Sequence, residues 1–128
     1  MPITVERIEP DSVLVYRFSG RITLGDLEAL YAQEAPYFSA LPPDDCLPIM
    51  LDLTDLYTIP AELFAPLQQT RLVLDRQVCV VSVVGANAYL RALAISLGLL
   101  AARHDFLFYA TREEALSALG ERSASHRA

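Results

Sequence analysis

Imidazoles are scarce in this chain: His104 and His126 are its 2 histidines. A hydrolase needs a nucleophile beside a base that a third group holds in place, so one of these two would have to serve. His126 falls in the polar carboxyl-terminal stretch. His104 stands between Arg103 and Asp105 where a helix passes into a strand, a place where a cation near the helix carboxyl end is favourable without any catalysis. Two acidic pairs, Asp44 with Asp45 and Asp52 with Asp55, carry oxygen ligands suited to a divalent cation. Neither pair has a third carboxylate or a glycine-containing ligand loop, so no metal site is expected. Thr54 and Thr58 are hydroxyls whose ordinary use is to satisfy nearby backbone groups. No catalytic motif is present; the sequence predicts a non-enzymatic protein with no cofactor.

What the chemistry-bearing residues do mark is a place. Ile49, Met50, Leu51 and Leu53 form an apolar run with almost no alternation, the pattern of a strand buried on both faces of an α/β sheet. A polar turn is predicted at its end. Ligands and partners of open α/β sheets dock beyond the carboxyl ends of the strands, which here assigns a partner-binding role to Asp52, Thr54, Asp55, Tyr57, Thr58 and Glu62.

The elements that must position this turn read as follows. Ile3 to Ile8 and Ser12 to Phe18 are strands joined by Glu9-Pro10-Asp11, an antiparallel hairpin. After Gly20, Thr23 caps a helix with Asp26 at its third position; the helix should stop near Ala35, ahead of Pro36. Residues 36–48, with four prolines, read as a loop. Beyond the buried strand, a short helical turn from Pro60 gives way to a kinked or separate helix from about Ala65 to Arg76, because Pro66 interrupts the pattern. Gln77 to Val84 is a second buried strand. A third helix spans Asn87 to about Arg103, Asp105 to Tyr109 is the last strand, and Thr111 with Glu114 forms a capping box on a final helix. That box explains Glu113 and Glu114 as helix-start residues. The order ββαβαβαβα predicts an α/β fold: a mixed, mostly parallel five-stranded sheet with an antiparallel N-terminal hairpin and helices on its faces. Residues 1–119 form a single domain, and 120–128 a flexible polar tail.

Composition narrows the function classes. At 128 residues there is room for one domain. A formal net charge of -6 argues against nucleic acid and anionic membrane surfaces, which require clustered basic side chains. Val78 to Ala102 is interrupted by Ser82, Gly85, Asn87 and Arg91, so no transmembrane segment is expected. The amino terminus lacks a signal-peptide pattern. Cys46 and Cys79 have no further pair with which to build a zinc cluster or a disulfide framework, and a reduced, cytoplasmic setting is expected.

Three segments, FSGRITLGDLE, VVSVVGANAYLRALA and FLFYATREEALSAL, together resemble SpoIIAA-like proteins, the small bacterial branch of the STAS superfamily, whose fold is related to lipid-binding CRAL-TRIO domains. The resemblance covers most of Val13 to Leu119. It implies a regulatory module that binds protein partners. Antagonists of anti-sigma factors in this superfamily carry an Asp-Ser-Ser-Gly or Asp-Thr-Ser-Gly turn whose hydroxyl a kinase phosphorylates. Aligned to that pattern, LDLTDLYTIPAEL places Pro60, Ala61, Glu62 and Leu63 at the motif, so the phosphorylatable residue is missing. Glu62 could stand as a permanent negative charge there, although an acidic residue in a first helical turn is also ordinary.

The third helix adds one more expectation. Its polar residues are Asn87, Arg91 and Ser96, fewer than a helix covering one sheet face needs. Helical spacing aligns Tyr89, Leu93, Leu97 and Leu100 on an outer stripe with Arg91 near its rim, while Ala92, Ile95 and Leu99 turn toward the sheet. The outer stripe needs a cover: a second copy in a homodimer is the first choice, with the loop 36–48 or an apolar ligand, as in a lipid carrier, as alternatives.

Overall fold

The computed structural model of the chain describes residues 2–9, 12–63, 65–66, 77–101 and 105–127, with the side chains at 94, 97–101, 105–106 and 121–127 left out of account. The elements are β1 (Ile3–Ile8), β2 (Val13–Arg21), α1 (Leu24–Ser39), β3 (Leu47–Thr58), a short 3-10 turn (Ala61–Leu63), β4 (Val78–Val84), α2 (Ala88–Ala101), β5 (Asp105–Tyr109) and α3 (Arg112–Arg127). The strands form one sheet in the order β1-β2-β3-β4-β5. The hairpin pair β1 and β2 is antiparallel, and every later pair is parallel. This is the mixed five-stranded α/β architecture that the order of elements predicts. The turn residues Pro10 and Asp11 lie outside the described residues.

Because each parallel crossover advances the sheet in the same direction, right-handed connections place their helices on one face. Leu27, Leu30 and Phe38 of α1, Leu63, and Leu90 of α2 accordingly pack with Leu14, Tyr16, Ile49, Leu51, Val81 and Val83 in one apolar cluster. The opposite face holds a smaller cluster, Val13, Val15, Met50, Val80 and Val84, covered by Ala115 and Leu119 of α3. A strand with helices on both sides has no polar face, which is why β3 and β4 read as continuous apolar runs.

Three boundaries and the facing of one helix differ from the sequence expectation. Helix α1 runs past Pro36 to Ser39. Pro36 and Ala32, one turn back, are both exposed, so the carbonyl that loses its amide donor meets water and the helix continues. Its start is as expected: Thr23 Oγ1 accepts from the Asp26 amide at 3.3 Å, and the Thr23 amide donates to Asp26 Oδ2 at 2.8 Å. Helix α3 continues past Gly120 to Arg127, since a glycine inside an otherwise favourable helical run costs only about 1 kcal/mol. In α2, Leu90 is buried and Leu93 half-buried, whereas Ala92 and Ile95 are exposed, the reverse of the predicted facing. Leu97, Leu99 and Leu100 lie outside the described side chains. So does the body of the helix expected over residues 65–76, of which only 65–66 are described.

The fourth difference is the largest. β3 does not end at Leu53 but runs to Thr58, and the predicted polar turn is strand. β2 extends alongside it, pairing Ser19 with Asp55, Gly20 with Leu56 and Arg21 with Thr58. Leu56, 4% exposed, ties this extension to the core.

Candidate functional site

β3 is paired on both sides from Ile49 to Asp52, but β4 reaches no further than the register of Val84 opposite Asp52. From Leu53 onward β2 is its one strand partner among the described residues. Two register shifts fall in this stretch, between Arg17 and Ser19 and between Gly20 and Arg21, each placing an extra residue in β3. A bulge moves side chains out of simple alternation. The result is a burial order in which Leu53 and Leu56 are buried while the pairs Thr54, Asp55 and Tyr57, Thr58 are exposed. The four predicted residues of this strand end beyond Asp52 therefore turn to solvent along one projecting segment.

Asp52 is held inward. It is 7% exposed, and its Oδ1 accepts from the Thr54 amide at 3.1 Å and from Thr54 Oγ1 at 2.7 Å. These two bonds explain a carboxylate tolerated at a buried position: its charge is solvated by local donors. Arg112 Nε of α3 lies 3.9 Å from Asp52 Oδ2, and its Nη2 is 3.3 Å from Glu6 Oε1 on β1. The guanidinium thus bridges the amino end of α3 to two strands. Across the bulge, Arg17 Nη2 donates to Asp55 Oδ2 at 3.0 Å. That hydrogen bond, with the Asp55 charge, holds the Arg17 guanidinium above its ordinary pKa. Both partners are more than half exposed, so the pair orients the surface more than it stabilises the fold.

Thr54 is positioned from below by the turn after β4. Gly85 has φ +71, and a β-carbon there would stand 2.4 Å from Thr54 Oγ1 and 2.9 Å from Thr54 Cα. Only glycine allows this approach. The next residues start α2: Asn87 Oδ1 accepts from the Leu90 amide at 2.9 Å, capping the helix. Tyr89 Oη then donates to the Ile59 carbonyl at 3.3 Å, which fastens the far end of β3 to α2. Tyr57, 78% exposed, and Tyr89, 46% exposed, consequently flank the same chain end. Glu62 is exposed in the 3-10 turn next along. Arg91 does not rim an open stripe; its guanidinium carbon sits 4.8 Å above the centre of the Phe108 ring.

Arg17, Glu6, Arg112 and Gly85 belong to this surface and carried no signal in the sequence, because each joins it through a strand or helix distant in the chain. The cysteines depart from the sequence expectation. Cys46 and Cys79 form a disulfide with their Cα atoms 5.3 Å apart. A separation of 33 residues hid the fact that parallel pairing of β3 with β4 sets their amino ends side by side. A second unexpected constellation is buried on the α1 face, where Tyr16 Oη donates to Glu34 Oε2 at 2.5 Å.

No protein-family model matches the chain, and no curated protein matches it. Among solved structures it is similar to an uncharacterised protein of the DUF3478 family with a SpoIIAA-like fold, from Shewanella loihica PV-4. The two share 17% sequence identity over 91% of each chain, with a TM-score of 0.72. The chain has a SpoIIAA-like fold. Among the described residues, no helix is long and apolar enough to cross a membrane.

Proposed function

We propose that this protein is a non-enzymatic regulatory module that binds a protein partner through the projecting end of β3. The observation that carries the reading is the pairing of Tyr57, 78% exposed, with Tyr89, 46% exposed, around a segment anchored by Asp52, Gly85 and the Tyr89 to Ile59 hydrogen bond. Exposed tyrosines on a rigid base, with Arg17 and Asp55 beside them, are the composition of an interface centre rather than of ordinary surface. Asp55, Thr58 and Glu62 form its polar surround. No phosphorylation is needed, since Thr54 Oγ1 is already committed to Asp52 and the motif position holds Glu62.

Self-association through α2 is a second reading, favoured by the exposure of Tyr89, Ala92 and Ile95 on one helix. Sedimentation of the chain at micromolar concentration as a monomer would remove it.

The leading reading is tested by affinity capture from the native host with the unaltered chain and with Tyr57→Ala. A partner retained by the first and lost by the second, at unchanged thermal stability, supports it. Stoichiometric phosphate on Thr58 would restore a kinase-regulated switch, and a reproducible co-purified lipid mass would instead favour a carrier of apolar ligands.

A further inference from the structure

The disulfide sits at the opposite end of the sheet from the proposed docking segment. Cys46 is the last loop residue before β3 and Cys79 the second residue of β4, and both are exposed. The exposure of Cys79 has a structural cause. Leu47 pairs with Val78 and Ile49 with Val81, so β4 carries one extra residue between these pairs. The irregularity lets Val78 and Val80 both remain buried while Cys79 between them turns out toward the loop. Beyond it the ladder is regular, with Met50, Leu51 and Asp52 opposite Ser82, Val83 and Val84. The bond is therefore outside the continuous part of the sheet.

What it holds is the loop 40–46. Apart from the disulfide, that loop is fastened to β4 by Gln77 Nε2, which donates to the Pro42 carbonyl at 3.0 Å and the Asp45 carbonyl at 3.5 Å, and by the Leu47 amide donating to the Gln77 carbonyl at 2.7 Å. Asp44 and Asp45 stand exposed beside Cys46. Leu41 packs against the core, whereas residues 42–46 are all exposed, a stretch of the kind that opens locally while the core stays closed.

We propose that Cys46 and Cys79 form a redox clasp that small-molecule thiols open and close on the folded protein, switching the loop 40–46 and the first residues of β3 and β4 between pinned and released. In the opening step a monothiol of the glutathione type attacks one sulfur as its thiolate. The protein S–S bond breaks, and a mixed disulfide and one cysteine thiolate form. A second monothiol attacks the mixed disulfide, releasing the other cysteine thiolate; protonation leaves two protein thiols and one oxidised small-molecule disulfide. Closing is the reverse exchange with that disulfide. The clasp stands whether or not the tyrosine surface binds a partner.

The test uses the full chain without denaturant, equilibrated in buffers of reduced and oxidised glutathione, quenched in acid, alkylated and analysed by peptide mass. Expected is full interconversion between the disulfide and dithiol forms at a rate that low urea leaves unchanged, with the circular dichroism of the sheet retained. In the dithiol form, amides of residues 40–47 and 77–79 should exchange with deuterium at least about tenfold faster, and those of 81–84 at the same rate as before. The Cys46→Ser/Cys79→Ser variant should reproduce the exchange pattern of the dithiol form in any redox buffer. The proposal is overturned if reduction accelerates with urea in step with global unfolding, if exchange is the same in both forms, or if both thiols stay alkylatable in oxidised glutathione.

Discussion

The two halves of β3 are built from one continuous segment and end up with opposite roles. From Ile49 to Asp52 the strand has partners on both edges and helices over both faces, and every residue is buried. From Thr54 to Thr58 it keeps β2 alone, two bulges break its alternation, and four of five side chains are exposed. Pairing, more than residue type, makes the difference. Asp52 in the first half is buried and Tyr57 in the second is not, against the preference of each. A polar side chain can be held in a sheet when the backbone two residues on offers donors, and an aromatic one can be left in water when its strand outruns its neighbour. The amino end of β3 is locked covalently to β4, and its carboxyl end is held by a glycine contact and hydrogen bonds.

The contrast is broken most severely in the buried half. Met50 is fully buried, so Met50→Ala should cost about 2–5 kcal/mol, read as a lowered urea midpoint at unchanged slope. A cost under about 1 kcal/mol would mean that α3 does not cover this face as the packing with Ala115 and Leu119 requires. Next comes the clasp: Cys46→Ser/Cys79→Ser should lose about 2–4 kcal/mol under oxidising conditions through the closed loop, and nothing further when reductant is present in both samples.

Gly85→Ala probes the support of the projecting half. The left-handed conformation and the approach to Thr54 together should cost about 2 kcal/mol or more, measured by thermal or urea unfolding. An ordinary glycine-to-alanine effect of a few tenths would detach Thr54 from the turn after β4. The smallest effect is expected at the exposed end, where Tyr57→Ala should change stability by no more than about 0.5 kcal/mol. A larger loss would show that Tyr57 packs within the fold and would remove it from the proposed docking surface.

Much of the core was legible because it depends on local periodicity. The runs at Ile49 to Leu53 and Val78 to Val84, the Thr23 and Asp26 capping box, and the Thr111 hydroxyl accepting from the Glu114 amide at 3.3 Å are all written in neighbouring residues. The site was half legible. Asp52 to Thr58 stood out as polar residues after an apolar run, but the same pattern fits a turn and a strand extension, and only the presence of β2 alongside selects the strand. The facing of α2 failed for a related reason: with so few polar residues, its sequence has no clear stripe, and contact with Phe108 and the sheet decided which side turned in.

By itself, then, the sequence determined the order of the described strands and long helices, the mixed sheet and the place where polar chemistry gathers, since short-range backbone preferences and burial periodicity are properties of adjacent residues. The tertiary structure decided how far β3 runs, that Arg17 meets Asp55 and Arg112 meets both Asp52 and Glu6, that Gly85 must be glycine, and that Cys46 finds Cys79. Each of these is a meeting between segments far apart in the chain, fixed by strand register and crossover direction, which no local pattern encodes.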